Sequence, residues 1–216
     1  MPDMVDPRIE RYVADLVPSR DPALAAVEKD AQAHHVPMIG PYEGQALATI
    51  ARIARARTIL EVGTATGYSA IWLARVAKEN GGSFLGIELD RQRHAEAVRN
   101  LAAAGLDDVA RVINGDAVAV LAGLTDRYDF VFLDLVRAID DPALLQDLLD
   151  RCVARLAVSG VLAMDNVLHG GEVINPPNAS ARAADALNRR IAGDPRLSAT
   201  FLTIRDGVAI ALKTRE

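Results

Sequence analysis

The sequence predicts an α/β fold in which a mostly parallel sheet is covered by helices on both faces. Two observations predict this fold. From Thr58 onward, short aliphatic runs alternate with amphipathic segments of helical length. Before Thr58, apolar residues instead recur every three or four positions, which indicates helices alone. With 216 residues, 50% of them hydrophobic, we expect one domain, with an N-terminal helical cap over residues 1–57 and an α/β core over residues 58–216.

Three helices are predicted in the cap, over Val5–Val17, Asp21–His35 and Tyr42–Ala56. The first two have clear starts, because Asp6 and Asp21 are good N-cap residues and each precedes a proline suited to the first helical turn. These amphipathic helices exceed what the sheet needs as cover. We therefore expect them to form a homodimer interface, with a lid over the ligand site as the alternative.

In the core, the alternation predicts five parallel strands, four helices between them and a closing hairpin. The strands are Thr58–Val62, Ser83–Leu89, Ala110–Asn114, Phe130–Asp134 and Gly160–Asp165. The helices are Tyr68–Lys78, Arg91–Ala104, Ala117–Leu121 and Pro142–Leu156. The hairpin pairs Ala199–Ile204 with Val208–Leu212 around Asp206-Gly207, and Asn175–Asn178 is predicted to be a mobile loop.

Composition and charge disfavour several classes of protein. The net charge of −5 is spread along the chain, so a nucleic-acid partner is disfavoured. No apolar run reaches the length of a membrane span, and residues 1–6 contain acids where a signal peptide has bases. We therefore expect a cytoplasmic protein without membrane contact. Cys152 is the single cysteine, which excludes an internal disulfide, and it is predicted to fill the core.

A loop between the first core strand and the following helix has glycine at its first and last turning positions, Gly63 and Gly67. This strand–loop–helix arrangement lets the backbone approach a nucleotide-like ligand closely. The spacing Gly-x-x-x-Gly differs from the dinucleotide pattern Gly-x-Gly-x-x-Gly, and Ala65 stands where that pattern has the glycine nearest the pyrophosphate. The loop therefore favours a nucleoside ligand over NAD, with a plain tight turn as the alternative.

Carboxylates at the strand ends narrow the class of ligand. Glu61 would repel a pyrophosphate but attract a ligand with an amine or a sulfonium, and S-adenosylmethionine has both. Glu88, at the end of the next strand, suits an acid that accepts both ribose hydroxyls. Gly115, Asp116 and Ala117, after the third strand, would border the adenine.

Three oxygen-bearing side chains follow the fourth and fifth strands: Asp134, Asp165 and Asn166. Because the carboxyl ends of parallel strands meet at one edge of the sheet, we expect these side chains to lie together. Carboxylate and amide oxygens suit a hard divalent cation, Mg²⁺ above all and Mn²⁺ or Ca²⁺ as alternatives. The alternative is that Asp134 and Asp165 cap neighbouring loops or bind the cofactor.

Ordered motifs along nearly the whole chain resemble the metal-dependent class I O-methyltransferases, the family that includes catechol and caffeoyl-CoA O-methyltransferases and smaller bacterial members. The matching motifs are Met38–Gln45, Glu61–Ser69, Phe132–Asp134, Asp165–Leu168 and Arg205–Val208. The resemblance implies methyl transfer from S-adenosylmethionine to a small catechol-like or other vicinal-oxygen acceptor. It also implies a Rossmann-like, doubly wound seven-stranded sheet whose last strand is antiparallel.

The resemblance further implies a set of site residues. A divalent cation would be held by Asp134, Asp165 and Asn166, where it would lower the pKa of a phenolic hydroxyl from about 10 and fix the attacking oxygen. The cofactor pocket would be lined by Met38, Gly63, Tyr68, Ser69, Glu88 and Ala117, to which we add Glu61, Thr64, Gly67, Leu89, Gly115, Asp116 and Asp134.

The sequence departs from this family at one position. Where relatives usually have a lysine three residues after the first metal-binding aspartate, this chain has Arg137. A guanidinium stays protonated, so Arg137 would hold a phenolate or a substrate carboxylate by charge rather than accept a proton. His169 is the candidate for another base, with a surface-loop histidine as the plainer interpretation. Metal activation alone, a different base and lost catalysis all stay open.

Two other functions compete with small-molecule methyl transfer. Some bacterial relatives are thought to methylate hydroxylated uridine in transfer RNA, but the acidic composition and the lack of a basic stretch interleaved with aromatic residues argue against it. The arginine at position 137 makes a cofactor-binding homologue with weak or no transferase activity the second alternative.

Overall fold

Seven strands form one sheet in this protein, whose computed structural model describes residues 6–18 and 20–216. They are β1 (Thr58–Val62), β2 (Ser83–Glu88), β3 (Ala110–Asn114), β4 (Tyr128–Leu133), β5 (Leu156–Met164), β6 (Leu197–Leu202) and β7 (Val208–Lys213). Their order across the sheet is β3-β2-β1-β4-β5-β7-β6. Neighbours among β1 to β5 pair in parallel, and β7 is antiparallel to both β5 and β6. The predicted mostly parallel sheet with a reversed last strand is confirmed.

Helices cover both faces of this sheet. Within the described ranges they are α1 (Pro7–Leu16), α2 (Pro22–His34), α3 (Pro41–Ile53), α4 (Tyr68–Glu79), α5 (Arg91–Ala103), α6 (Ala117–Gly123), α7 (Pro142–Arg155) and α8 (Ala179–Ala192). Most begin at an N-cap residue whose side chain accepts a backbone N–H, namely Asp6, Asp21, Asp90, Asp116, Asp141 and Asn178. These short polar side chains satisfy N–H groups that have no partner inside the helix, which is why the helices start where they do.

The core has two layers, one on each face of the sheet. Successive strand residues point to opposite faces, so Ile59 packs in the layer that contains α3 and α4, and Leu60 packs in the layer that contains α7 and α8. Cys152 is a free, fully buried thiol in the second layer, as predicted. Leu24 of α2 and Leu47 of α3 belong to the first layer together with strand residues. The cap helices therefore share a core with the sheet, and the division at residue 57 stays a prediction.

Helix α8 is an element that the apolar pattern did not predict. Its buried positions include Ala181, Ala184, Leu187 and Ile191, and alanine gives only a weak periodic signal. Asn178, at the end of the predicted mobile loop, caps this helix by accepting the N–H of Ala181 at 2.8 Å.

Several predicted ends differ from the observed ones. Strand β5 begins at Leu156 rather than Gly160, because the chain passes directly from α7 into the sheet. Strand β6 lies at Leu197–Leu202, about two residues before its predicted position. The predicted start of the first helix, Val5, lies outside the described residues. In the part of the chain that the structure describes, no helix is long and apolar enough to span a membrane.

Candidate active site

A cleft opens at the carboxyl ends of the parallel strands, where ligands bind in open α/β sheets. It consists of a cavity of about 690 Å³ that continues into a second one of about 240 Å³. Both are bordered by Gly63, Glu88, Leu89, Leu135 and Ala138. The larger cavity reaches Asp134, Arg137 and Asn166, whereas the smaller one reaches Gly115, Asp116 and Ala117. Together they have the size of a small-molecule cofactor site with room at one end.

The glycine loop forms the floor of this cleft and is tied to the neighbouring strand. The N–H groups of Gly63 and Thr64 both donate to the carbonyl oxygen of Ile87, at 3.0 and 3.1 Å. Gly63 has φ +95°, and a Cβ there would lie 2.6 Å from the carbonyl oxygen of Asp134. This close approach and this backbone conformation require glycine.

Glu88 ties the same loop to the end of β2. Its carboxylate accepts the N–H of Ala65 and the N–H of Asp90, each at 2.8 Å. Each carboxylate oxygen keeps a further lone pair, so Glu88 can still accept hydroxyl groups from a ligand in the cleft. The structure thus gives this acid a loop-bracing contact that spacing alone did not reveal.

Glu61 is fully buried at the end of β1, and neither of its carboxylate oxygens makes a hydrogen bond of standard geometry. Burial raises the pKa of Glu61 to about 7, although the nearby hydroxyls of Ser69 and Thr64 lower it. An unpartnered buried carboxylate is unfavourable unless something polar pairs with it. A cofactor with an amine and a sulfonium fits this demand, so the residues present suit S-adenosylmethionine.

The other predicted cofactor residues divide into two groups. Seven of them line the cavities: Gly63, Glu88, Leu89, Gly115, Asp116, Ala117 and Asp134. The other six do not: Met38, Glu61, Thr64, Gly67, Tyr68 and Ser69. The Tyr68 hydroxyl instead donates to Glu28 of α2 at 2.6 Å. Gly67 serves the turn into α4, with φ +90° and a Cβ position only 3.1 Å from the Cα of Ala97. Contact of these residues with the cofactor stays a prediction.

The strand-end acids lie together, as expected from their positions after β4 and β5. The N–H of Asp134 donates to Val62 at 2.9 Å and that of Asp165 to Leu133 at 3.3 Å, which continues the sheet for one residue beyond each strand. Burial, then the charges of Asp165 and Glu61, raise the pKa of Asp134 well above its usual value.

Asn166 completes this group. Its backbone N–H and its Nδ2 donate to the two carboxylate oxygens of Asp165, at 2.6 and 3.0 Å, and its φ of 61° turns the chain sharply. Asn166 also lines the larger cavity of the cleft. Within the described chain no group of three or more His, Cys, Asp or Glu side chains is arranged to hold a metal ion. The candidate set is therefore two carboxylates and one amide, a donor chemistry that fits a hard divalent cation.

Arg137 lies on the rim of the larger cavity with a half-exposed side chain. One of its guanidinium nitrogens pairs with Asp206 in the β6–β7 turn, and the other oxygen of Asp206 accepts the N–H of Gly170. Asp206 thus joins three loops around the cleft. Because Arg137 shares the cavity with Asp134 and Asn166, it lies where it could hold an anionic group of an acceptor.

His169 is buried, unlike the surface-loop histidine of its plainer interpretation. It is only 5% exposed, so a surface-loop histidine is wrong. Its Nδ1 lies 2.9 Å from Glu172 and its Nε2 lies 2.9 Å from Ser180, so both ring nitrogens are engaged. It also lines neither cavity of the cleft. The cavity linings give no support to a general base at this position, and that role of His169 stays a prediction.

Glu43 and Arg205 are neighbours of the strand-end acids for which no role was predicted. Glu43 is 1% exposed, and burial together with the charge of Asp165 raises its pKa to about 10. The guanidinium of Arg205 lies 3.6 Å from Glu43 and donates to the carbonyl oxygen of Met38 at 3.2 Å. The backbone N–H of Arg205 donates to the Tyr42 hydroxyl at 2.9 Å. Both residues occur in motifs that carried the resemblance, which was the available signal.

The fold and the cleft together define an α/β protein with a ligand-sized cleft at the carboxyl ends of its strands. A family model described as O-methyltransferase matches residues 21–214. Caffeoyl-CoA O-methyltransferase 1 of Eucalyptus globulus is 27% identical over 142 residues, which cover 60% of this chain and 56% of that protein. The chain spans little more than half the length of the curated relatives it matches.

Solved structures resemble the chain over nearly its whole length. The O-methyltransferase TomG from Streptomyces achromogenes, in complex with S-adenosylmethionine, is 28% identical with a TM-score of 0.83 and 96% of each chain covered. The O-methyltransferase from Bacillus cereus, in complex with S-adenosylhomocysteine, is 29% identical with a TM-score of 0.84, covering 96% of this chain and 97% of that one. The protein belongs to the O-methyltransferase family, as its motifs predicted.

Proposed function

We propose that this protein is an S-adenosylmethionine-dependent O-methyltransferase that acts on a small acceptor with two vicinal oxygens, such as a catechol, with the help of a divalent cation. The observation that carries the proposal is a buried Glu61 carboxyl without a hydrogen-bond partner near the end of β1, next to the glycine loop. Asp134 lines the cleft beside that loop at the end of the adjacent strand, β4. Family membership and the cofactor-bound neighbours support the first half of it. The donor set of Asp134, Asp165 and Asn166 supports the second half.

The bound groups would supply a methyl group on a sulfonium and a Lewis acid that lowers the pKa of the acceptor hydroxyl. The residues of the chain hold these groups and orient them. Glu61 offers a buried negative charge to the cationic end of the cofactor, and Glu88 offers acceptor lone pairs to its ribose. Gly63 lets the backbone approach closely. Holding two reactants at near-attack distance can by itself account for roughly 7–11 kcal/mol of the barrier.

The cation would be held by Asp134, Asp165 and Asn166, with Mg²⁺ as the best fit and Mn²⁺ or Ca²⁺ as alternatives. Arg137 would hold an anionic oxygen of the acceptor by charge, since its guanidinium cannot accept a proton. We further propose a homodimer built on the cap helices, because α1 exposes Ile9, Tyr12 and Leu16. A cytoplasmic location stays a prediction from the sequence.

The test is a turnover assay on the purified full chain with S-adenosylmethionine, a panel of catechol-like acceptors, and either Mg²⁺ or EDTA. We expect the mass gain of one methyl group on the acceptor, its suppression by EDTA, and its loss in Asp134→Asn. Turnover that is unaffected by EDTA would contradict the role of the cation. Cofactor binding without turnover on the whole panel would instead favour the homologue without transferase activity, and turnover on transfer RNA alone would favour the RNA modifier.

A further inference from the structure

Three side chains outside the cleft form a hydrogen-bonded chain of acid, imidazole and hydroxyl. His169 Nδ1 lies 2.9 Å from a carboxylate oxygen of Glu172, and His169 Nε2 lies 2.9 Å from the hydroxyl oxygen of Ser180. A carboxylate only accepts hydrogen bonds, so Nδ1 carries the proton of the neutral ring and Nε2 is left to accept the hydroxyl proton of Ser180. An acid that orients a base, with the base in contact with a hydroxyl, is the arrangement that activates serine nucleophiles.

The backbone holds this imidazole in an unusual conformation. His169 has φ +48°, and the two glycines after it, Gly170 and Gly171, also have positive φ, of 64° and 80°. A left-handed conformation is unfavourable for a residue with a side chain, and residues held in one cluster at functional sites. Because His169 is only 5% exposed, its ring is shielded from water and kept against Glu172 and Ser180.

Ser180 lies where a small reagent can reach it. It belongs to the first turn of α8, is only partly buried, and follows the exposed residues 177–179. The first N–H groups of a helix have no partner within it, and here the side chain of Asn178 takes that of Ala181. The N–H groups at this end, together with the positive end of the helix dipole, favour negative charge that develops on an oxygen beside Ser180.

We propose that Ser180 is a nucleophile for acyl transfer, with His169 as its general base and Glu172 as the residue that positions the imidazole. The acyl donor is a small ester with a good leaving group, such as a phenyl ester. Ser180 Oγ forms a bond to the acyl carbon while its proton passes to His169 Nε2, and the C–O bond to the leaving group breaks. The leaving phenolate takes that proton, and water then attacks the acyl-serine by the same route to release the acid. This activity uses neither the cofactor nor the cation, so it is independent of the proposed methyl transfer.

The test is the reaction of the purified full chain with p-nitrophenyl acetate, in EDTA and without S-adenosylmethionine. We expect a burst of p-nitrophenolate equimolar with the protein, and peptide mass spectrometry should find an acetyl group on Ser180. Ser180→Ala should lose both the burst and the acetylated peptide. Ser198→Ala is the matched control, because Ser198 is an exposed serine of β6, and it should leave both unchanged.

Glu172→Gln separates an activated serine from a purely structural hydrogen bond. Glutamine can still accept a hydrogen bond from Nδ1 but lacks the charge that stabilises the imidazolium formed during the attack, so we expect acylation of Ser180 to slow roughly tenfold or more. Thermal melting checks that each variant is folded. Acetylation of lysines with none on Ser180 would overturn the proposal, and so would a burst that Ser180→Ala retains or an acylation rate that Glu172→Gln leaves unchanged.

Discussion

Glu61 shows how a binding group can oppose folding. Its carboxyl is fully buried and burial raises its pKa to about 7 from 4.5. Because the folded state then binds a proton more tightly than the unfolded state, stability without cofactor falls as the pH rises from about 4.5 to about 7. A cationic cofactor would reverse this effect by pairing with the ionised form.

Glu61→Gln should therefore stabilise the cofactor-free protein while weakening cofactor binding. The variant removes the ionisable group, and we expect its free energy of unfolding at pH 8 to rise by about 1–3 kcal/mol, a gain that disappears near pH 4. The Kd for S-adenosylmethionine should increase roughly tenfold or more, because a charged hydrogen-bond partner is lost. Urea denaturation at both pH values and calorimetry check this. A variant that is less stable at pH 8 would contradict the prediction.

Arg137 invites a second prediction, which concerns the acceptor. Its guanidinium uses one nitrogen for Asp206 and lies on the same cavity as Asp134 and Asn166. If it holds an acidic group, Arg137→Met should raise KM for 3,4-dihydroxybenzoate about tenfold more than KM for uncharged catechol, because charge-assisted contacts are the strong ones. Arg75→Met, at a remote pair with Asp21, is the control. Equal changes in KM for both acceptors would argue against this role.

The sequence predicted a site residue where the residues next to it in the chain indicate its position, and failed where the position depends on contacts between distant segments. Asp134, Asp165 and Asn166 follow strand-like runs, so their meeting at one sheet edge could be predicted from chain order. The contact between Glu43 and Arg205 joins residues far apart in sequence, and nothing local indicates it. The pairing of His169 with Glu172 and Ser180 depends on how α8 packs, so the loop around His169 could not be predicted to bury it.

The loop from β1 into α4 has a tightly constrained backbone. Gly63→Ala would combine an unfavourable φ of +95° with a Cβ 2.6 Å from the Asp134 carbonyl oxygen. Gly81→Ala is the matched control, because Gly81 has φ +67° but nothing within 4 Å of its Cβ position. We expect Gly81→Ala to cost about 1–2 kcal/mol of stability with unchanged cofactor binding.

We expect Gly63→Ala to cost more stability than that control and to weaken S-adenosylmethionine binding at least about tenfold, because a displaced loop distorts the cleft. Thermal melting and calorimetry on both variants measure the difference. If Gly63→Ala bound the cofactor as tightly as Gly81→Ala does, the close approach at this loop would not matter for binding.

Helices and strands were predictable where their buried positions carry large apolar side chains and their exposed positions carry polar ones. Strands β1 and β3 have the predicted ends, since aliphatic runs bounded by polar or glycine residues mark them clearly. Helix α8 was missed because alanines form much of its buried face, and they are small enough to leave little hydrophobic contrast. The start of β5 was misplaced because Ser159-Gly160 resembles a turn but lies inside the strand.

An ionic network joins elements that lie outside the cleft. The Asp194 side chain, with no exposed surface, accepts the backbone N–H of Arg196 at 2.9 Å and pairs with the guanidinium groups of Arg190 and Arg196 at 2.7 Å. Asp150 of α7 contacts the same two arginines, at 2.9 and 2.8 Å. The network thereby links α7, α8 and the chain leading into β6. It lines neither cavity of the cleft, so its effect should be on stability alone.

This network predicts a specific acid sensitivity. The hydrogen bonds from Arg196, then the other contacts, lower the pKa of Asp194 below its usual 3.8. A carboxyl whose pKa is lower in the folded state contributes stability that is complete above the unfolded pKa and is lost as the pH falls through the folded one. Asp194→Asn should therefore lower the free energy of unfolding by about 2–3 kcal/mol at pH 7, with the difference from the unaltered protein shrinking below about pH 3. Urea denaturation across this pH range measures it, with cofactor affinity at pH 7 as the control that should not change. A deficit that stayed constant into strong acid would mean that lost packing, rather than the charge of Asp194, is what the variant removes.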